Sequence, residues 1–127
     1  MAWELPLFKM PGVKAGADLS AKQYYLVKPN SDADEIVEST VAGEVVMGAL
    51  QNKPTENLAA EVTVIGVTPL VAGAAITKGA KLMAAGTTGK AITAATTGSH
   101  IIGYALEGAA GDGSVFTAFI NCGTGVV

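Results

Sequence analysis

Between Val62 and Ile120 the chain is apolar and rich in small residues, yet Gly or Pro interrupts it every few positions. Short β-prone runs between turn residues are the sequence form of an all-β barrel or sandwich. The same punctuation leaves no room for a helical enzyme core, because Gly and Pro both disfavour helix interiors. Almost nothing along this stretch has the residue types of a reactive centre, so function is sought on surfaces.

The chain has 127 residues, the size of one domain. Half of it is apolar, but only seven residues are Trp, Tyr or Phe. Small side chains gain less on burial than Leu or Phe, so part of the stability is expected to come from a partner. Net charge is −3, and the eight basic residues are all Lys. Arginine provides most phosphate clamps and base readout, so its absence from an acidic chain excludes a nucleic-acid partner. The single cysteine, Cys122, allows no intrachain disulfide and suits a reducing compartment. MAWELPLFK lacks the basic and apolar regions of a secretion signal. The longest uncharged run, Val62 to Thr77, is too short and too broken to cross a membrane as a helix. These features predict a soluble product made in the cytoplasm, with no membrane partner.

Residues 1–20 read as an extended N-terminal arm, and residues 21–127 as the β domain. In the arm, Trp3, Leu5, Leu7, Phe8 and Met10 are apolar, while Pro6 and Pro11 block helix and central-strand pairing. Such a segment either docks on something else or covers one end of its own barrel. In the domain, Tyr24 to Val27 reads as a strand closed by Pro29, Asn30 and Ser31. Val41 to Leu50 is β-rich, and Val71 to Ala80 echoes it with one inserted residue. Gly86-Thr87-Thr88-Gly89 predicts a hairpin between Lys81–Ala84 and 90–93. Asp112-Gly113 predicts another between 101–106 and 115–120. A short helical turn is expected at 106–110.

The candidate chemistry is thin. His100 lacks the oriented carboxylate and exposed nucleophile of a triad and reads as a strand-edge histidine. Cys122 has no basic neighbour to activate it, and one Cys with one His cannot form a zinc site of that ligand type. Asp32, Asp34, Glu35 and Glu38 form an acidic patch, but the EF-hand offsets are absent, and a solvated loop explains it. Thr87-Thr88-Gly89-Lys90 lacks the leading glycine of a phosphate loop, since position 84 is Ala. Gly108, Gly111 and Gly113 read as turn residues. Gly73 to Leu82 has the Gly…Ile-x-x-Gly-x-x-Leu form of compact β hairpins, which supports fold and not function. No enzyme, metal or cofactor is expected. The alternatives are an enzyme or metal-dependent module on the acidic patch, and a β module binding carbohydrate or another ligand through Tyr24, Tyr25, Tyr104, Phe116 or Phe119, most of which read as core residues of strand-like runs.

Three stretches together are more specific. They are VAGEVVMGAL at 41–50, AAITKGAKLMA continuing to TGKAIT between 74 and 93, and IIGYALEGAAGDGSVFTAFI at 101–120. In this order they resemble the small capsid decoration, or cement, proteins of tailed bacteriophages, over roughly residues 40–120. The resemblance implies a β-barrel or β-tulip-like module on the outer surface of the mature head. It implies a homotrimer that contacts the major capsid protein, clamps neighbouring capsomers and stabilises the head. Trp3, Leu5, Leu7 and Phe8 are then the expected capsid-binding residues, with Trp3 as anchor because large aromatics dominate interface energetics.

Overall fold

In the computed structural model, which describes residues 5–10, 12–31, 34–95 and 98–122, the described residues form strands and turns without a helix. The strands are β1 (Leu5–Met10), β2 (Lys14–Ala15), β3 (Leu26–Pro29), β4 (Glu35–Glu38), β5 (Gly48–Leu50), β6 (Val62–Val71), β7 (Lys81–Ala84), β8 (Ala91–Thr93), β9 (Gly103–Ala105) and β10 (Val115–Asn121). The all-β, single-domain expectation holds. All ten belong to one sheet, ordered β2-β4-β3-β5-β6-β10-β9-β7-β8, with β1 joined to β6 off this path.

β6 is the axis of the molecule. Its β-branched sequence VTVIGVTPLV suits a long pleated strand, and Pro69 lies beyond the part that pairs with β1. In β10 Phe116, Ala118 and Ile120 are fully buried on one face; on the other Val115 is exposed and Phe119 half-buried, with Thr117 buried between them. The expected β7–β8 hairpin forms, with Leu82 opposite Thr93 and Ala84 opposite Ala91. β9 returns to β10 past Gly113, whose φ of +87° is the left-handed geometry that the Asp-Gly turn requires.

The sheet is not closed into a barrel. Its two ends fold back toward the chain that enters and leaves β6. At one end Ala72 bridges Ala91 and the Gly73 N–H donates to the Ala91 carbonyl at 2.8 Å. The chain bends away at Gly73, so this bridge cannot extend into a strand pair. At the other end Lys14 bridges Ala59, and Ala15 N–H donates to Leu58 at 2.9 Å.

Two apolar clusters fill the folds. The larger contains Leu70, Leu82, Ile102, Phe116, Ala118 and Ile120; the smaller contains Ala15, Leu19, Val27, Ile36, Leu50 and Val62. Adjacent residues divide between them: Leu26 and Ala49 join the larger cluster, Val27 and Leu50 the smaller. β3 and β5 are therefore packed on both faces, which is why they lack polar alternation.

Some local expectations are corrected. Val41 to Met47 is loop rather than strand, and Val71 to Ala80 ends β6 and then turns, so the echoed segments are not structural copies. Residues 106–110 form bends and an Ala109–Ile76 bridge, not a helical turn. Separately from these corrections, β2 joins the sheet, and Ala15 and Leu19 enter the smaller cluster.

Candidate functional site

Strand register assembles a row across the sheet. Leu5 of β1 stands opposite Val67, Val67 opposite Phe119, Phe119 opposite Tyr104, and Tyr104 opposite Lys81. Because side chains alternate along a strand, Val67, Phe119, Tyr104 and Lys81 lie on the face away from Phe116, Ala118 and Ile120. Tyr104 is 45% exposed and its ring lies 5.6 Å from that of Phe119 at a 40° tilt. Val71 and Val115, paired with each other, extend the same face, and Val115 is 50% exposed. Lys81 is exposed at the end of the row. An aromatic pair among valines with a cation at its margin is suited to bury against another protein surface, since aromatic anchors dominate such contacts.

A second surface rises on the loop 39–47. The Glu44 carboxylate accepts from Ser39 Oγ at 2.8 Å, Thr40 N at 2.9 Å, Val41 N at 2.8 Å and Lys28 Nζ at 3.2 Å. Burial is the largest single influence on this carboxyl and favours the neutral form. The combined hydrogen bonds from Val41, Ser39, Thr40 and Lys28 outweigh it and hold the group below the ordinary glutamate value. Gly43 N–H donates to Ala84 and the Gly43 carbonyl accepts from His100 N, both at 3.0 Å. The loop therefore presents Val41 and Val45, 56% and 66% exposed, from a pinned backbone. Nothing in the sequence singled out Glu44, because its partners lie on β3 and in its own turn.

The residues singled out from sequence take different places. Trp3 and Asp32 lie outside the described residues. Leu5, Leu7 and Phe8 lie in β1, whose backbone pairs with β6 and whose side chains lie outside the described part. The acidic patch is not a solvated loop: Glu35 and Glu38 are in β4. Lys14 Nζ lies 3.9 Å from both Asp34 and Glu35, and Lys22 Nζ 3.5 Å from Glu38, which also accepts from Gly89 N. Strand alternation and these lysines keep the carboxylates from converging, and no metal-binding group of three occurs among the described residues.

Tyr25 has Lys22 Nζ over its ring at 4.9 Å, so its face is already occupied by a cation. Tyr24 adopts φ +68°, held between Leu50 and Val71 by backbone hydrogen bonds. Of the tyrosines only Tyr104 is exposed. His100 and Cys122 are buried, and burial pushes the Cys122 thiol up to about 12, which leaves it unreactive.

The family model described as phage cement protein matches residues 11–120, from just after β1 into β10. No curated protein sequence matches the chain. Among solved structures, the N base of head fiber gp8.5 of bacteriophage phi29 is similar in fold. Its TM-score is 0.68 with 19% identity, and the match covers 96% of each chain.

Proposed function

The chain belongs to the phage cement protein family, whose members are structural proteins of the phage head, and on that premise we propose that it binds the outer surface of the mature capsid. There it clamps neighbouring capsomers of the major capsid protein and stabilises the head. The observation that carries this reading is the family match over the sheet that displays the Val67–Phe119–Tyr104 row. In this reading the arm residues Trp3, Leu5, Leu7 and Phe8 contact the shell together with the exposed sheet face, which the backbone of β1 adjoins through β6. Three copies acting as a trimer near a local three-fold would multiply modest contacts by raising effective concentration.

Co-sedimentation with mature heads stripped of the protein tests the proposal. Binding is expected to saturate at a fixed number of copies per capsid. Tyr104→Ser, at an exposed position, is expected to leave the fold intact and weaken binding by more than about tenfold, the effect of losing an interface hot spot of about 2 kcal/mol. No binding at micromolar protein overturns the shell-binding reading, and unchanged affinity of the serine variant removes the sheet face from it.

A further inference from the structure

We infer that the partner surface meeting the Tyr104–Phe119 face is an acidic protein segment, with carboxylates set against Lys78 and Lys81. The source of that segment, the major capsid protein, rests on the shell-binding reading.

Lysine placement sets this face apart from the rest of the surface. Lys14 is engaged by Asp34 and Glu35, Lys22 by Glu38, Lys28 by Glu44 and Lys90 by Asp112. Lys53, Lys78 and Lys81 are exposed, and no carboxylate among the described residues pairs with them. Two of these three stand together. Lys81 opens β7 directly opposite Tyr104 and shares its face. Lys78 lies on the turn just before it, where Gly79 N–H donates to the Ala105 carbonyl at 2.8 Å and Ala105 N–H to the Ala80 carbonyl at 2.9 Å. These bonds hold the turn beside Tyr104, so two positive charges border the exposed aromatic pair.

The carboxylates carried by the segments around β9 and β10 do not neutralise that border. Glu107 accepts from Thr117 N at 2.8 Å and Thr117 Oγ1 at 2.9 Å, which holds its charge against β10. Asp112 is bonded to Lys90 at 2.8 Å. Burying an ammonium group without a partner is costly, so a purely apolar surface closing over this border would lose affinity. A carboxylate opposite each lysine turns that cost into a specific attraction.

The rest of the face sets the class of partner. Val67, Val71 and Val115 continue it beyond the aromatic pair, which suits apolar side chains of a protein better than the hydroxyl-rich surface of a polysaccharide. One strand spacing of about 5 Å separates Lys81 from Tyr104. Residues two apart in an extended segment share a face about 7 Å apart, so alternating acidic and apolar positions can address both.

The first test needs no capsid. Amide resonances of the full chain are followed while an acetylated Glu-Ser-Leu-Ser-Glu peptide is added. Shifts are expected at residues 78–81, 103–105 and 119. They should be absent with the same peptide carrying Gln for Glu, lost in Lys78→Glu with Lys81→Glu, and kept in Lys53→Glu. All three lysines are exposed, so these reversals leave the cores untouched. Shifts that are absent, lie elsewhere or are matched by the Gln peptide overturn the inference, as does tighter binding of dextran sulfate at the same residues. On stripped mature heads the double reversal is expected to weaken binding more than about tenfold while Lys53→Glu has little effect. Wild-type affinity should also fall as salt rises from about 50 to about 300 mM. Heads that bind wild type and double variant alike overturn the inference. Peptide shifts at this face without any head binding support the acidic site and refute the capsid as its source.

Discussion

Glu44 shows how much one side chain can organise in a chain with few polar anchors. Its carboxylate closes the 39–44 turn with three short hydrogen bonds and ties it to β3 through Lys28. Glu44→Ala is expected to lower stability by about 1–2 kcal/mol, the scale of hydrogen bonds to a charged acceptor where water can partly replace them, read from the urea midpoint. The carboxyl is held below its ordinary value in the fold. Its contribution is therefore complete above the unfolded-state value and is lost as pH falls through the folded one. The difference between wild type and Glu44→Gln should shrink on acidification, and a constant difference down to the acid limb would contradict this. The role of Glu44 was not legible in the sequence, because Lys28 meets it only after β3 and the loop come together.

At the scale of elements, the Asp112-Gly113 turn was legible because it needs a positive φ, which Gly113 takes at +87°. Gly86-Thr87-Thr88-Gly89 marked the other break, although there Thr87, not a glycine, takes the positive φ of +67°. Val41 to Met47 misled for the opposite reason. Its Val content suits a strand, but the capping carboxylate and the hydrogen bonds to Ala84 and His100 reward a loop, so tertiary context overrode propensity. Close strand approach was also invisible beforehand. A Cβ on Gly103 would meet the Phe119 carbonyl oxygen and the Ile120 Cα, at φ +152°. Gly103→Ala should therefore part β9 from β10 and cost about 3 kcal/mol or more, combining backbone strain with a lost strand contact. Gly111→Ala, where a Cβ meets nothing within 4 Å, is the matched control and should cost far less. Equal thermal midpoints for the two variants would refute the close-packing account.

For the whole molecule, one sheet serves two cores. Leu26 and Val27, neighbours in β3, face different clusters, as do Ala49 and Leu50 in β5. Neither cluster can melt without exposing a strand on which the other depends. Ile36→Ala in the smaller cluster and Ile102→Ala in the larger should each cost about 2–5 kcal/mol and shift a single shared transition. Hydrogen exchange resolving two separate openings would show the cores to be independent. The β-rich, single-domain character was readable from length and punctuation. The open topology was not, because it rests on a chain bend at Gly73 and on Lys14–Ala59 contacts distant in sequence.

The folded-back ends of the sheet bear on life in a crowd. A coat protein accumulates at high density, where any bare strand margin invites indefinite stacking into fibres. Here β2 is covered by the segment entering β6, and β8 is touched by the segment leaving it. The chain itself thereby occupies both margins of its sheet, and a copy arriving edge-on finds no bare ladder there to extend.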